Sequence, residues 1–254
     1  MLFKAKALTN FKMECRNGLF GRVEQFYFDD MHWAVRYLVA DVATWLPGRS
    51  VLISPYSLGA ASRDRRTIYV NLTKKQIEDS PDPDSDKPVS QQFEAAHSDH
   101  FGWPAYWGGP FMWGAYNYVE QNQQKWVRPR LDGPLWDYHL RSTNEVDGYG
   151  IEAKDGRVGH VDDFILDDQT WAIRYLVVDA GHWWAGAKVL IAPQWIEQVS
   201  WGDSKVTVNL TRDAIRAAPR CDEVDLLTRD YEEQLHKHYE RLGYWMHQAP
   251  AGRR

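Results

Sequence analysis

The chain has 254 residues, 44% hydrophobic and 26% charged, with a formal net charge of −5. That length suits one large domain or two small ones. The mild acidity argues against a general nucleic-acid or anionic-lipid binder, and no run approaches the roughly 18 apolar residues of a membrane-spanning helix.

In chain order, the N-terminus M-L-F-K-A-K-A-L-T-N-F-K-M-E-C has no apolar leader and reads as a first strand. V-E-Q-F-Y-F runs to Asp29-Asp30, a turn signal, and W-A-V-R-Y-L-V-A-D (Trp33 to Asp41) follows as the second arm of a hairpin. Trp33, Val35, Tyr37 and Val39 would share one face of that strand and Ala34, Arg36, Leu38 and Ala40 the other. Both faces are largely apolar, which suits a strand packed on both sides in a small closed barrel. Breaks at 46–49 and at Gly59 to Arg66 delimit V-L-I-S-P and T-I-Y-V-N-L as further strands. Thr73 is placed to cap a short helix that ends before Pro81. Ser80 to Pro88 is a Pro/Asp-rich linker, and Ser90 is placed to cap a second helix, which runs into an aromatic end.

From His139 the pattern starts again. Trp33 and Trp171 open nearly identical nonapeptides, and the same offset of 138 pairs Gly21 with Gly159, Arg36 with Arg174, Tyr37 with Tyr175 and Val51–Pro55 with Val189–Pro193. It extends through His100 and His238 to Tyr106-Trp107 and Tyr244-Trp245. Ungapped similarity of this length indicates two copies of one unit, and the period suits a small domain plus a tail. Thr211 and Thr228 repeat the capping pattern. Tyr231, Leu235, His238, Tyr239 and Leu242 recur at helical spacing.

F-x-F-D-D-x-x-W-A-V-R-Y-L-V-A-D, L-P-G-R-S-V-L-I-S-P and V-N-L-T resemble the PRC-barrel family, as does F-I-L-D-D-Q-T-W-A-I-R-Y-L-V-V-D in the second copy. The linker and H-L-R-S (His139 to Ser142) resemble bacterial proteins carrying two such domains in tandem. The resemblance implies a mainly β chain of two small antiparallel barrels, each with a short helix and a helical, aromatic tail. The expected boundaries are 1–79 for the first barrel and 80–138 for the linker, helix and aromatic connector. The second barrel takes 139–217 and the C-terminal tail 218–254. The family's barrels bind macromolecules and are not known for catalysis.

The candidate chemistry is thin. Asp29-Asp30 and Asp167-Asp168 read as turn residues before they read as an acid/base pair. Arg36 and Arg174 read as structural ion-pair partners of Asp41 or Asp179. His97 and His100, spaced i, i+3, admit a surface metal site with Asp99, but no H-E-x-x-H or C-x-x-C occurs. Cys15 and Cys221 have no ligand spacing and read as free thiols of a reducing, cytoplasmic compartment. No glycine fingerprint for a dinucleotide appears. No metal, cofactor or enzymatic activity is expected. The 13 Trp and 13 Tyr are the anomaly. Trp103, Tyr106, Trp107, Trp113, Tyr116 and Trp245 either seal the barrels or form an interface, where Trp and Tyr are enriched. The expectation is an interaction or scaffold protein that docks a protein partner or itself. The alternative is a small-ligand or RNA-binding module using an aromatic cleft between the barrels.

Overall fold

The computed structural model describes residues 1–43, 46, 49–81, 98–102, 139–181, 187–221 and 227–247. The strands are β1 (Leu2–Lys4), β2 (Lys12–Cys15), β3 (Gly18–Asp29), β4 (Ala34–Asp41), β5 (Ser50–Ile53), β6 (Leu58–Ser62) and β7 (Thr67–Val70) in the first half. The second half supplies β8 (Leu140–Ser142), β9 (Gly150–Ala153), β10 (Gly156–Asp167), β11 (Ile173–Asp179), β12 (Lys188–Ile191), β13 (Ile196–Ser200) and β14 (Lys205–Val208). The two sets stand in the register that the repeat predicts. Even the ladder irregularities agree: β3 shifts register between Val23 and Gln25 and between Tyr27 and Phe28, and β10 at the equivalent positions, Val161/Asp163 and Ile165/Leu166.

Each half builds a seven-stranded sheet from the described strands, β5-β4-β3-β2-β7-β6 in one and β12-β11-β10-β9-β14-β13 in the other. Two expectations change here. The sheets are mixed rather than antiparallel, because β2 and β7 pair parallel, as do β9 and β14. They are also not closed barrels: each runs as an open ladder between two edge strands. The seventh strand of each sheet comes from the other half of the chain. β1 pairs with β10 through Leu2↔Asp167 to Lys4↔Ile165, and β8 pairs with β3 through Tyr27↔Ser142 to Asp29↔Leu140. One compact unit accordingly comprises Met1–Lys4, Glu145–Asp167 and Ile173–Arg254, and the other Ala5–Asn144 with Asp168–Ala172.

Both faces of the repeated strand are buried, as its apolar pattern requires: Ala34 to Ala40 are all below 6% exposed, Arg36 included. Trp33 does not belong to that strand. It has φ of +54° and its counterpart Trp171 +56°, so each sits in the left-handed region just before a strand. A bulky residue pays about 1–2 kcal/mol there. The offset comes from the turn and from burial. Trp33 N–H donates to the carbonyl of Asp29, and the Trp33 ring stacks on Phe28 at 5.4 Å. Trp171 is 3% exposed, with its ring 6.1 Å from that of Phe26.

Asp29 does turn work, as expected. Asp29 Oδ1 accepts from the backbone N–H groups of Met31 and His32 and lies 2.9 Å from His32 Nδ1. Asp30 points away, toward His139 and Arg141. The arginine partners differ from the expectation. Arg36 faces Asp29 at 3.6 Å and Arg174 faces Asp167 at 2.6 Å, not Asp41 or Asp179, because the hairpin register brings the end of the preceding strand beside each guanidinium. Among the described residues, no helix is long and apolar enough to cross a membrane.

Candidate functional site

A buried polar cluster lies in the second copy, under its C-terminal helix Arg229–His238. Thr228 starts that helix, its hydroxyl accepting from Tyr231 N–H at 3.2 Å. Glu232, Leu235 and His236 form the buried stripe. This face is rotated from the expected one. Tyr231, His238 and Leu242 are not its core, and Leu242 is 70% exposed, because polar Glu232 and His236 find a partner beneath them.

The helix ends in a Schellman turn. Glu240 takes φ of +52°, its N–H donates to the Lys237 carbonyl, and Arg241 N–H reaches back to the His236 carbonyl. The turn brings the Leu242 carbonyl to 3.1 Å from His236 Nδ1. The 3-10 turn Tyr244–His247 then folds back over the cluster. Gly243 permits this: a Cβ there would overlap the indole of Trp245.

Tyr175 rises from β11 into the cluster and is fully buried. Its hydroxyl lies 3.0 Å from Glu232 Oε1 and 3.0 Å from His236 Nε2. The Tyr244 hydroxyl donates to the same Oε1 at 3.0 Å, and Arg229 Nη1 lies 3.0 Å from Oε2. Aromatic rings wall the site. Trp195 and Trp245 meet the His236 ring edgewise at 5.1 and 4.9 Å, and Tyr239 packs on Trp195 at 4.7 Å. Arg174 stacks over Tyr244 at 3.9 Å and Arg229 over Trp245 at 4.3 Å, both within cation–π range.

Burial dominates the electrostatics. It raises the Glu232 carboxyl above its ordinary value despite the opposing Arg229 charge and the two tyrosine hydrogen bonds. It lowers His236. Burial, with the Glu232 charge, pushes Tyr175 well above its ordinary value and Tyr244 to about 12.

Of the expected interface residues, Trp245 falls in this site, half-buried. Trp103, Tyr106, Trp107, Trp113 and Tyr116 lie outside the described residues, as do the helix expected from Ser90 and His97. His100 and His238 have a shared structural role: each ring nitrogen meets a carbonyl of the short helix before it, Gln76 at 3.1 Å and Ala214 at 2.8 Å. Among the described residues no three His, Cys, Asp or Glu side chains gather as a metal site, and Cys15 and Cys221 are buried.

Sequence reasoning missed Tyr175, Arg229, Glu232, His236 and Tyr244. The available signal was difference between the copies, not identity. Tyr175, Glu232 and Tyr244 match Tyr37, Glu94 and Tyr106, but His236, Trp195 and Arg229 stand where the first copy has Ser98, Ser57 and Gln91. The second copy alone carries the imidazole and one of its two indoles, Trp195, whereas Trp245 matches Trp107. No known family matches this chain, and no curated protein does.

Proposed function

We propose that this protein is a non-enzymatic interaction scaffold, assembled from two PRC-type modules in tandem, that docks a protein partner or a second copy through its aromatic tails. The carrying observation is the surface around Trp245. Leu242 is 70% exposed and Met246 65% exposed, flanking a half-buried tryptophan within five residues of chain. Large apolar side chains presented together mark interaction surfaces, and Trp and Met are enriched in them. The polar residues that the two copies share support the same reading. Asp29, Arg36, Arg174, His100 and His238 are engaged in turns, ion pairs and helix docking.

The test is affinity capture of tagged full-length protein from its host lysate, with nuclease, beside a Leu242→Asp/Met246→Glu variant. The reading predicts a stoichiometric protein, or a second copy, that survives nuclease and is lost from the variant. Capture of the same proteins by both chains, or loss of everything on nuclease treatment, overturns it.

A further inference from the structure

Tyr175, Glu232 and His236 pose a problem of proton counting. A phenol has one proton to donate, and a carboxylate only accepts. His236 Nδ1 faces the Leu242 carbonyl, another pure acceptor, at 3.1 Å. Nδ1 therefore carries a proton, and in a neutral imidazole Nε2 is then a bare acceptor. Tyr175 thus meets two acceptors, Oε1 and Nε2, both at 3.0 Å, with one hydrogen. One contact then opposes lone pair to lone pair among groups at most 4% exposed, where an unmade hydrogen bond is costly.

One further proton resolves this. On the carboxyl, it donates to the Tyr175 oxygen while Tyr175 donates to Nε2. On Nε2, it donates to the Tyr175 oxygen while Tyr175 donates to Oε1. Either way every contact is made, and the chain of bonds runs from Glu232 through β11 to His236 and the Leu242 carbonyl.

We propose that Glu232, Tyr175 and His236 bind one proton as a unit, more tightly than the opened segment does, and that this proton latches the C-terminal helix and the Tyr244–His247 turn onto the sheet of the second copy. The surrounding groups divide. Arg229 and the Tyr244 hydroxyl face Glu232 from the helix and the turn and favour the carboxylate. Arg174, on β11, also favours it, but is paired to Asp167 of β10. Burial opposes charge on both Glu232 and His236. It raises the one and lowers the other, which favours the carboxyl end for the proton.

The sign follows by linkage. In the unfolded segment Glu232 titrates at its ordinary 4.5 and His236 at 6.5, so between those values the open form also holds one proton of the pair. Latch stability is therefore flat in that window. As pH rises past 6.5 the open form releases its proton and the closed form keeps its own, so stability falls until the triad deprotonates. The slope is about tenfold in the opening equilibrium per pH unit.

The experiment is amide exchange of segment 229–242 in the full chain, from about pH 5 to about pH 9, corrected for intrinsic exchange chemistry. Carboxyl ¹³C and imidazole ¹⁵N shifts of Glu232 and His236 are followed in parallel. The expected result is one midpoint for both probes, above 6.5, with protection falling across the rise. Glu232→Gln, whose amide supplies a permanent donor, should keep the segment protected at high pH with no step. Tyr175→Phe should remove the shared midpoint. Separate midpoints, a common midpoint below 6.5, or wild-type exchange profiles that Glu232→Gln reproduces overturn the proposal.

Discussion

Gly159 lies where β10 passes under the backbone of Asp179 and Ala180. A Cβ built on it would overlap the Asp179 carbonyl oxygen and stand 2.9 Å from the Ala180 Cα. Gly21 faces the Asp41 carbonyl in the same way, so this glycine repeats for a reason of space. Neither neighbour is a side chain that can swing away. Gly159→Ala should therefore cost about 1–3 kcal/mol, by the strain of forced overpacking. Thermal unfolding checks it against Gly202→Ala, whose Cβ would meet nothing within 4 Å. Asp29 makes a second residue-scale prediction. Burial raises its carboxyl, but the hydrogen bonds from His32 and the charge of Arg36 outweigh burial and leave it lowered. A lowered carboxylate stabilises the fold above its ordinary 3.8, and that contribution is lost as pH falls through the lowered value. Asp29→Asn should destabilise by about 3 kcal/mol at neutral pH, because the buried Arg36 loses the carboxylate it faces and the Met31 and His32 N–H groups lose an ionised acceptor. The gap between wild-type and variant melting temperatures should close as the solution is acidified below about pH 4.

Elements raise the question of where short strands go. Phe3 is 3% exposed although it sits near the start of the chain, because β1 lies on β10. Phe3→Ala should remove about 3–5 kcal/mol of packing. Its local signature should appear in the second copy: faster amide exchange at Ile165 to Asp167, not at Tyr27 to Asp29, where β8 is the neighbour. Equal loosening of both stretches would show that β1 does not discriminate between the sheets. The duplicated strands, the three threonine caps and the Asp29 turn were legible in the sequence, since each rests on local pattern or on identity at one offset. The exchange was not, since L-F-K and L-R-S are too short to carry a register and equally fit either long strand. The parallel pairing of β2 with β7 was also hidden, because it joins strands more than fifty residues apart. The site was hidden for the same kind of reason. Glu232 and His236 read as the polar face of an amphipathic helix, and what buries them is a hydroxyl 57 and 61 residues away.

At the scale of the whole molecule, the exchanged strands set how the chain comes apart. A tandem array of self-contained domains unfolds as separate transitions, each moved only by its own mutations. Here the sheet of the second copy is completed by Leu2–Lys4 and the sheet of the first by Leu140–Ser142, so neither half of the chain supplies all of its own sheet. Melting one half withdraws a strand from the other. Each withdrawn strand takes a buried side chain with it, Phe3 in one case and Leu140, which packs with Tyr37, Val39 and Leu52, in the other. A loss of about 2–5 kcal/mol per buried side chain is a large share of the 5–15 kcal/mol that holds a domain folded. Calorimetry of the full chain should therefore show one cooperative transition in which calorimetric and van't Hoff enthalpies agree. Phe3→Ala and Leu140→Ala should each lower that same transition. If instead two transitions appear, with Phe3→Ala moving one and Leu140→Ala only the other, the exchanged strands add stability to the sheets they join without coupling the two halves.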